Sequence, residues 1–344
     1  MEVLTLVKDR CRGIYKKVFD AEKHGKMDDK YKRVGLRALY RKELADHFTS
    51  KRFIIILLLI AVTGLASVYS AAMGIQDAVS RDDNDFVFLR LFTSSGSSLP
   101  SFISFLSFLG PLVGLALGFD SINGERSRGT LTRLISQPIY RDAVINGKFL
   151  AGVTVIAVMV FSLGLIVGGM GIIMIGIPPT FEELVRILLF LVFTVVYMSL
   201  WLSVSLLFSL LFRHAATSAL SVIALWLFFA VFLSLLAGLV ADGLFPVDSD
   251  SSVNIMLKNN RWKQNINRIS PTTLYNEAVM TMMNPGVRTL GPVLIEQIQG
   301  AISGALPLGQ SVLLVWPHLT GLLALTMICF AISYVYFMRQ EIRA

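Results

Sequence analysis

Cysteine is nearly missing from this chain. The only two among 344 residues are Cys11, in a basic stretch, and Cys329, inside an apolar run. They are expected on different layers of the protein, so no disulfide framework follows, and neither has a CxxC or Cys/His neighbour to make a structural metal site. Charge is scarce too, at 16% of residues, where a soluble domain carries about 25%. No GxxxxGK(S/T) occurs, so the chain has no phosphate-cradling loop with which to power itself. HExxH and GxSxG are also missing, which speaks against a zinc protease or a serine hydrolase. No Asp, Glu, Lys or Arg sits centrally in the long apolar runs, against the habit of proton- or ion-coupled carriers. The first 52 residues lack the early apolar region of a secretory signal.

Long apolar runs are what the chain has in quantity; 54% of its residues are hydrophobic. A helix needs about 20 apolar residues to cross a bilayer core. Six runs qualify: about Phe53–Ile75, Ser101–Phe119, Phe149–Ile177, Leu184–Phe212, Ala219–Ala241 and Ser311–Met338. The third, fourth and sixth exceed the requirement and must tilt or extend into water. Arg186, near the start of the fourth, is expected to snorkel to the interface. The expected fold is therefore all-α and integral to a membrane, with six transmembrane helices.

Lys and Arg in the connecting segments set the orientation. With residues 1–52 inside, the inner segments hold 23 of the 31 basic residues, and the outer ones hold eight. Both termini are then cytoplasmic in a multi-pass protein of the cell membrane. The net charge of +8 is a topological signal; nucleic acid is not an expected partner, because the basic excess flanks the spans. The chain divides into a cytoplasmic arm (1–52), spans one to five (53–241) with a loop at 120–148, an extracytoplasmic segment (242–310), and the sixth span with its tail (311–344). In the arm, Val34, Leu36, Leu39, Tyr40, Leu44 and Phe48 fall near helical spacing among Arg37, Arg41, Lys42 and Lys51. That pattern fits an amphipathic elbow helix at the lipid headgroups, or a helix packed on the protein's own inner face. Residues 271–283 are apolar but too short to span, so a re-entrant helix is expected there.

The stretch from Gly118 to Gly152 is the most informative. Phe119, Asp120, Gly124, Glu125, Arg126, Gly129, Thr130, Pro138, Gly147 and Lys148 reproduce a pattern that resembles the loop after the second span of ABC type-2 transporter permeases. Arg41-Lys42-Glu43-Leu44 before Lys51-Arg52-Phe53 is similar to that family's elbow, and Ser270–Gly291 is similar to a segment of some prokaryotic members, among them permeases for nitrous-oxide-reductase maturation. The resemblance implies a permease subunit of an ATP-driven exporter. It implies a separate ABC ATPase that binds ATP and Mg, a second permease subunit identical to the first, and no cofactor, metal or catalytic residue in this chain. ATPase coupling would fall to Asp120, Gly124, Glu125, Arg126, Arg128, Gly129, Thr130, Arg133, Pro138 and Arg141. Independently of the family, the loop reads as two short helices, about Ile122–Ile135 and from Arg141 onward, broken at Pro138. Its charges, including Asp142, form a surface able to pair with another protein or simply a solvated face.

Gly110, Gly114 and Gly118 recur every four residues on the second span, and Gly164 and Gly168 on the third. Small residues at this spacing let helix backbones approach closely in lipid, either as static packing within one subunit or as a sliding interface. Met280, Met282 and Met283 suit a soft metal such as Cu(I), or else the apolar face of the short helix. His318 reads as a packing histidine before it reads as a ligand. Two rival functions remain at this level: a secondary transporter or channel without an ATPase, and a subunit that transmits mechanical work to an extracytoplasmic partner docked on 242–310.

Overall fold

The computed structural model describes residues 34–79, 86–94, 99–137, 139–247, 252–286 and 306–340. All regular structure among them is helical. We number the helices α1 (34–49), α2 (Lys51–Val79), α3 (Val87–Thr93), α4 (Phe102–Gly118), α5 (Asn123–Ser127), α6 (Thr130–Ile135), α7 (Arg141–Ile175), α8 (Phe181–Leu211), α9 (Ala215–Leu227), α10 (Leu233–Leu244), α11 (Val253–Asn267), α12 (Pro271–Met283) and α13 (Leu308–Arg339). Six helices are long and apolar enough to cross a membrane: α2, α4 with its extension to Ser127, α7, α8, α9–α10 as one rod, and α13. The chain is a multi-pass membrane protein.

Helix α8 is the axis of the bundle. It packs against α4, α7, α9, α12 and α13, and 72% of its apolar window is buried, against 22% for α13. Its start is fixed by a capping box: the Thr180 hydroxyl accepts from Glu183 N, and the Glu183 carboxylate accepts from Thr180 N. Glu183 also accepts from Phe88 N at 3.1 Å, which ties in α3. Phe92, Phe102 and Phe190 meet edge to face between α3, α4 and α8. Outward-facing residues such as Leu165, Ile173, Leu239 and Leu313 are exposed, a distribution stable only where acyl chains replace water. Helix α7 stops at Gly176, whose φ of 77° makes a left-handed cap ahead of Pro178.

Several expectations need correction. Arg186 does not snorkel: it is fully buried. Its guanidinium donates to the Met282 carbonyl (2.9 Å), the Leu306 carbonyl (2.7 Å), the Ser311 hydroxyl (3.2 Å) and Glu182 (2.8 Å). A five-donor fork with that many acceptors does not need water. The loop helix expected over Ile122–Ile135 is two helices, α5 and α6, because Gly129 adopts a φ of 68° between them. The fifth span carries a π-helical turn at Phe228–Phe232, and α3 occupies the apolar run Phe86–Phe92, too short to span; sequence reading found neither.

The glycines divide. A Cβ on Gly114 would lie 2.6 Å from Leu202 N and 2.7 Å from Met198 O, and one on Gly118 would meet Ser205 at 2.8 Å. Gly110 sits 3.2 Å from Met198 by the same measure, and Gly164 sits 2.7 Å from Leu191. The α4 glycines therefore lie against α8 inside one chain. Gly168 has nothing within 4 Å of where its Cβ would be, among the described residues.

Candidate functional site

One end of the bundle carries α1, α5, α6, the start of α7 and the end of α13. After α4 the chain turns, and the amides of Ile122 and Asn123 donate to Ser209 Oγ at 2.9 and 3.2 Å. That anchor fixes α5 to the last turn of α8. The first turn of α5 then points Glu125 inward, where it is buried. Lys148, on α7 just ahead of its long apolar run, has a side chain only 3% exposed and bonds Glu125 at 2.9 Å and Glu43 at 3.0 Å. Glu43 comes from α1, which approaches because Gly147 leaves room for Leu39, and which is pinned by Tyr40 donating to Thr154 at 3.0 Å.

Lys42 caps this triad, 2.9 Å from Glu43, 3.4 Å from Glu125 and 3.1 Å from Asp46. Burial would raise the Glu43 pKa, but the Lys148 charge and the Lys42 hydrogen bond outweigh it and hold the carboxyl below its usual range. Burial would lower the Lys42 pKa, yet its bonds to Glu43 and the nearby carboxylates raise it above the ordinary lysine value. His47 beside them is pushed down, chiefly by burial.

Around this centre the other expected residues sort themselves. Asp120 pairs with Arg52, which also stands over the Phe119 ring at 5.1 Å. Arg126 donates to the Gln340 side chain at 2.6 Å, and Arg141 donates to the Gln340 carbonyl at 3.3 Å, joining the loop to the end of α13. Thr130 donates to the Glu125 carbonyl at 3.2 Å. Gly124 packs beside Arg128, whose Nε donates to the Gly124 carbonyl. Arg128, Gly129, Thr130 and Arg133 are exposed; Pro138 lies outside the described residues. Glu125 thus departs from the expected outward charged surface, because its Oε1 is committed to Lys148 inside the chain. Sequence reading did not assign Glu43 a role. The signal was a carboxylate four residues after Leu39, on the apolar stripe of α1.

At the opposite end, α12 packs against α8 and α13. Tyr275 stacks on Tyr197 at 4.3 Å and its hydroxyl lies 2.9 Å from Thr194 Oγ1. Met282 and Met283 are buried while Met280 is 40% exposed. His318 Nε2 lies 2.8 Å from Glu277 Oε2, and Arg268 and Gln264 bond the same carboxylate. Among the described residues no three His, Cys, Asp or Glu gather as a metal site.

The family model described as "ABC-2 family transporter protein" matches residues 37–342. Over 122 residues the chain is 34% identical to the "Probable ABC transporter permease protein NosY" of Stutzerimonas stutzeri, covering 35% of this chain and 39% of the relative. Over 112 residues it is 36% identical to the protein of the same name in Pseudomonas aeruginosa, covering 32% and 36%. The chain thus covers under two fifths of the length of these relatives. The family match runs from α1 through all six spans, and the chain belongs to the ABC-2 family of transporter proteins.

Proposed function

We propose that this permease works in an ATP-driven exporter, as a pair of identical copies enclosing the path, with a separate ABC ATPase seated on the α5–α6 loop. ATP and Mg belong to that partner. Loop, arm and both termini face the cytoplasm, in keeping with the distribution of Lys and Arg. The observation that carries the reading is the fastening of the loop. Glu125 joins it to α7 and α1 through Lys148, and Arg126 and Arg141 join it to α13 through Gln340. Movement of the loop by an ATPase therefore moves two membrane helices, α7 and α13, together with the arm helix α1.

The test is a photo-crosslinking residue at exposed Ser127 in the full chain, expressed in its native membrane. It captures a chain containing a phosphate-cradling loop; the same group at Asn260 on α11 does not. Capture at Asn260 and not at Ser127 overturns the orientation and the docking face together.

A second reading, work transmitted to an extracytoplasmic partner, is favoured by α11, which packs along α10 and leaves Met256, Lys258 and Trp262 exposed. Crosslinking of an extracytoplasmic protein from Asn260, with no substrate-stimulated hydrolysis in vesicles, selects it over export.

A further inference from the structure

A cleft of about 720 Å³ opens between α1, the start of α2 and the α5–α6 loop. Six Lys or Arg side chains and four carboxylates line it. The carboxylates are already answered: Glu43 and Glu125 by Lys148 and Lys42, Asp46 by Lys42, and Asp120 by Arg52. Lys51, Arg128 and Arg133 line the same cleft and form no ion pair among the described residues. His47, its pKa lowered by burial, adds no charge at neutral pH. The cleft therefore keeps an excess of cations for a ligand.

Its depth identifies the ligand. Lys51 and Arg52 immediately precede the apolar length of α2, and Asp120 follows the end of α4, so the cleft lies where the spans leave the hydrocarbon. Ile55, Leu58 and Val62 fall four, seven and eleven residues after Lys51, on one face of α2. They are 65%, 62% and 57% exposed. An apolar track thus leads from the bilayer up to the unpaired ammonium group. We propose that this cleft binds the phosphate of an anionic phospholipid headgroup, with Lys51, Arg128 and Arg133 around the phosphate and an acyl chain along the Ile55–Leu58–Val62 face. Guanidinium and ammonium groups at headgroup depth are the donors such a phosphate takes. A free phosphate has no use for the apolar track, and an acidic protein surface does not reach the hydrocarbon.

The experiment titrates the full-length chain, delipidated in mild detergent, by native mass spectrometry. The probes are phosphatidylglycerol, phosphatidylcholine with the same acyl chains, and inorganic phosphate. Phosphatidylglycerol binds about tenfold or more tightly than phosphatidylcholine, and Lys51→Gln with Arg133→Gln removes that preference. Lys258→Gln with Arg261→Gln keeps it. Lys51→Arg with Arg133→Lys also keeps it, which separates lost charge from lost fold. Equal binding of the two lipids, or an undiminished preference in the Gln variant, overturns the proposal. Displacement of phosphatidylglycerol by inorganic phosphate overturns the lipid source in favour of a free anion. A Gln variant that keeps its lipid but loses ATPase capture at Ser127 makes the cleft part of the protein seat and also overturns it; loss of lipid preference with capture intact supports it and leaves the docking proposal standing.

Discussion

Lys148 and Glu125 meet at 2.9 Å inside the protein, although the one opens a membrane helix and the other sits in a polar loop. Glu43 reaches the same ammonium group at 3.0 Å. Removing the cation leaves two buried carboxylates side by side with only the half-exposed Lys42 to answer both. Lys148→Met is therefore expected to lower stability by about 3–5 kcal/mol, read as a fall in the thermal midpoint in detergent. Adding Glu43→Gln and Glu125→Gln recovers most of that loss, while ATPase stimulation by substrate stays impaired. A single variant that melts like the parent shows that the triad holds nothing together.

Gly114 and Gly168 look alike in sequence and differ in space. Gly114→Ala drives a methyl group into the α8 backbone, so α4 must move away, at about 1–3 kcal/mol or more. Gly168→Ala meets nothing among the described residues and gains up to about 1 kcal/mol of helix propensity. Parallel thermal melts check the contrast; equal melts refute the close approach of α4 and α8.

Arg186 holds α12 and the start of α13 to α8. Arg186→Met leaves the Met282 and Leu306 carbonyls without their donor, at about 1–3 kcal/mol for each buried group. Hydrogen exchange is expected to rise over α12 and the first turns of α13, with α4 and α7 unchanged. Uniform protection across α12 in the variant shows that the guanidinium is not its fastening.

Acid should loosen the arm. His47 has its pKa lowered from 6.5 on folding, so its contribution is present above that value and declines as pH falls below it. Glu43 is lowered from 4.5, and its contribution is lost in turn as pH falls below that value. Thermal midpoints measured from pH 7.5 downward should therefore fall in two stages. His47→Gln removes the upper stage and leaves the lower. A profile flat to pH 4 contradicts both assignments.

Within the chain, sequence alone determined what depends on composition and period. Six apolar runs of sufficient length, free of central charge, admit one outcome, because a bilayer core allows only helices or closed barrels and barrel strands are short and alternating. The short apolar stretch now seen as α12 was legible for the same reason, as were the glycines of α4, whose spacing in lipid marks a close contact. What the sequence left open was the partner of each polar group. Arg186 reads as a snorkelling residue until Met282, Leu306 and Ser311, distant in the chain, supply its acceptors. Glu125 reads as a surface charge until α1 and α7 bring Glu43 and Lys148 beside it. Whether a charged side chain is buried depends on whether desolvation is offset by groups that only the assembled bundle places within 3 Å, and no local pattern records that.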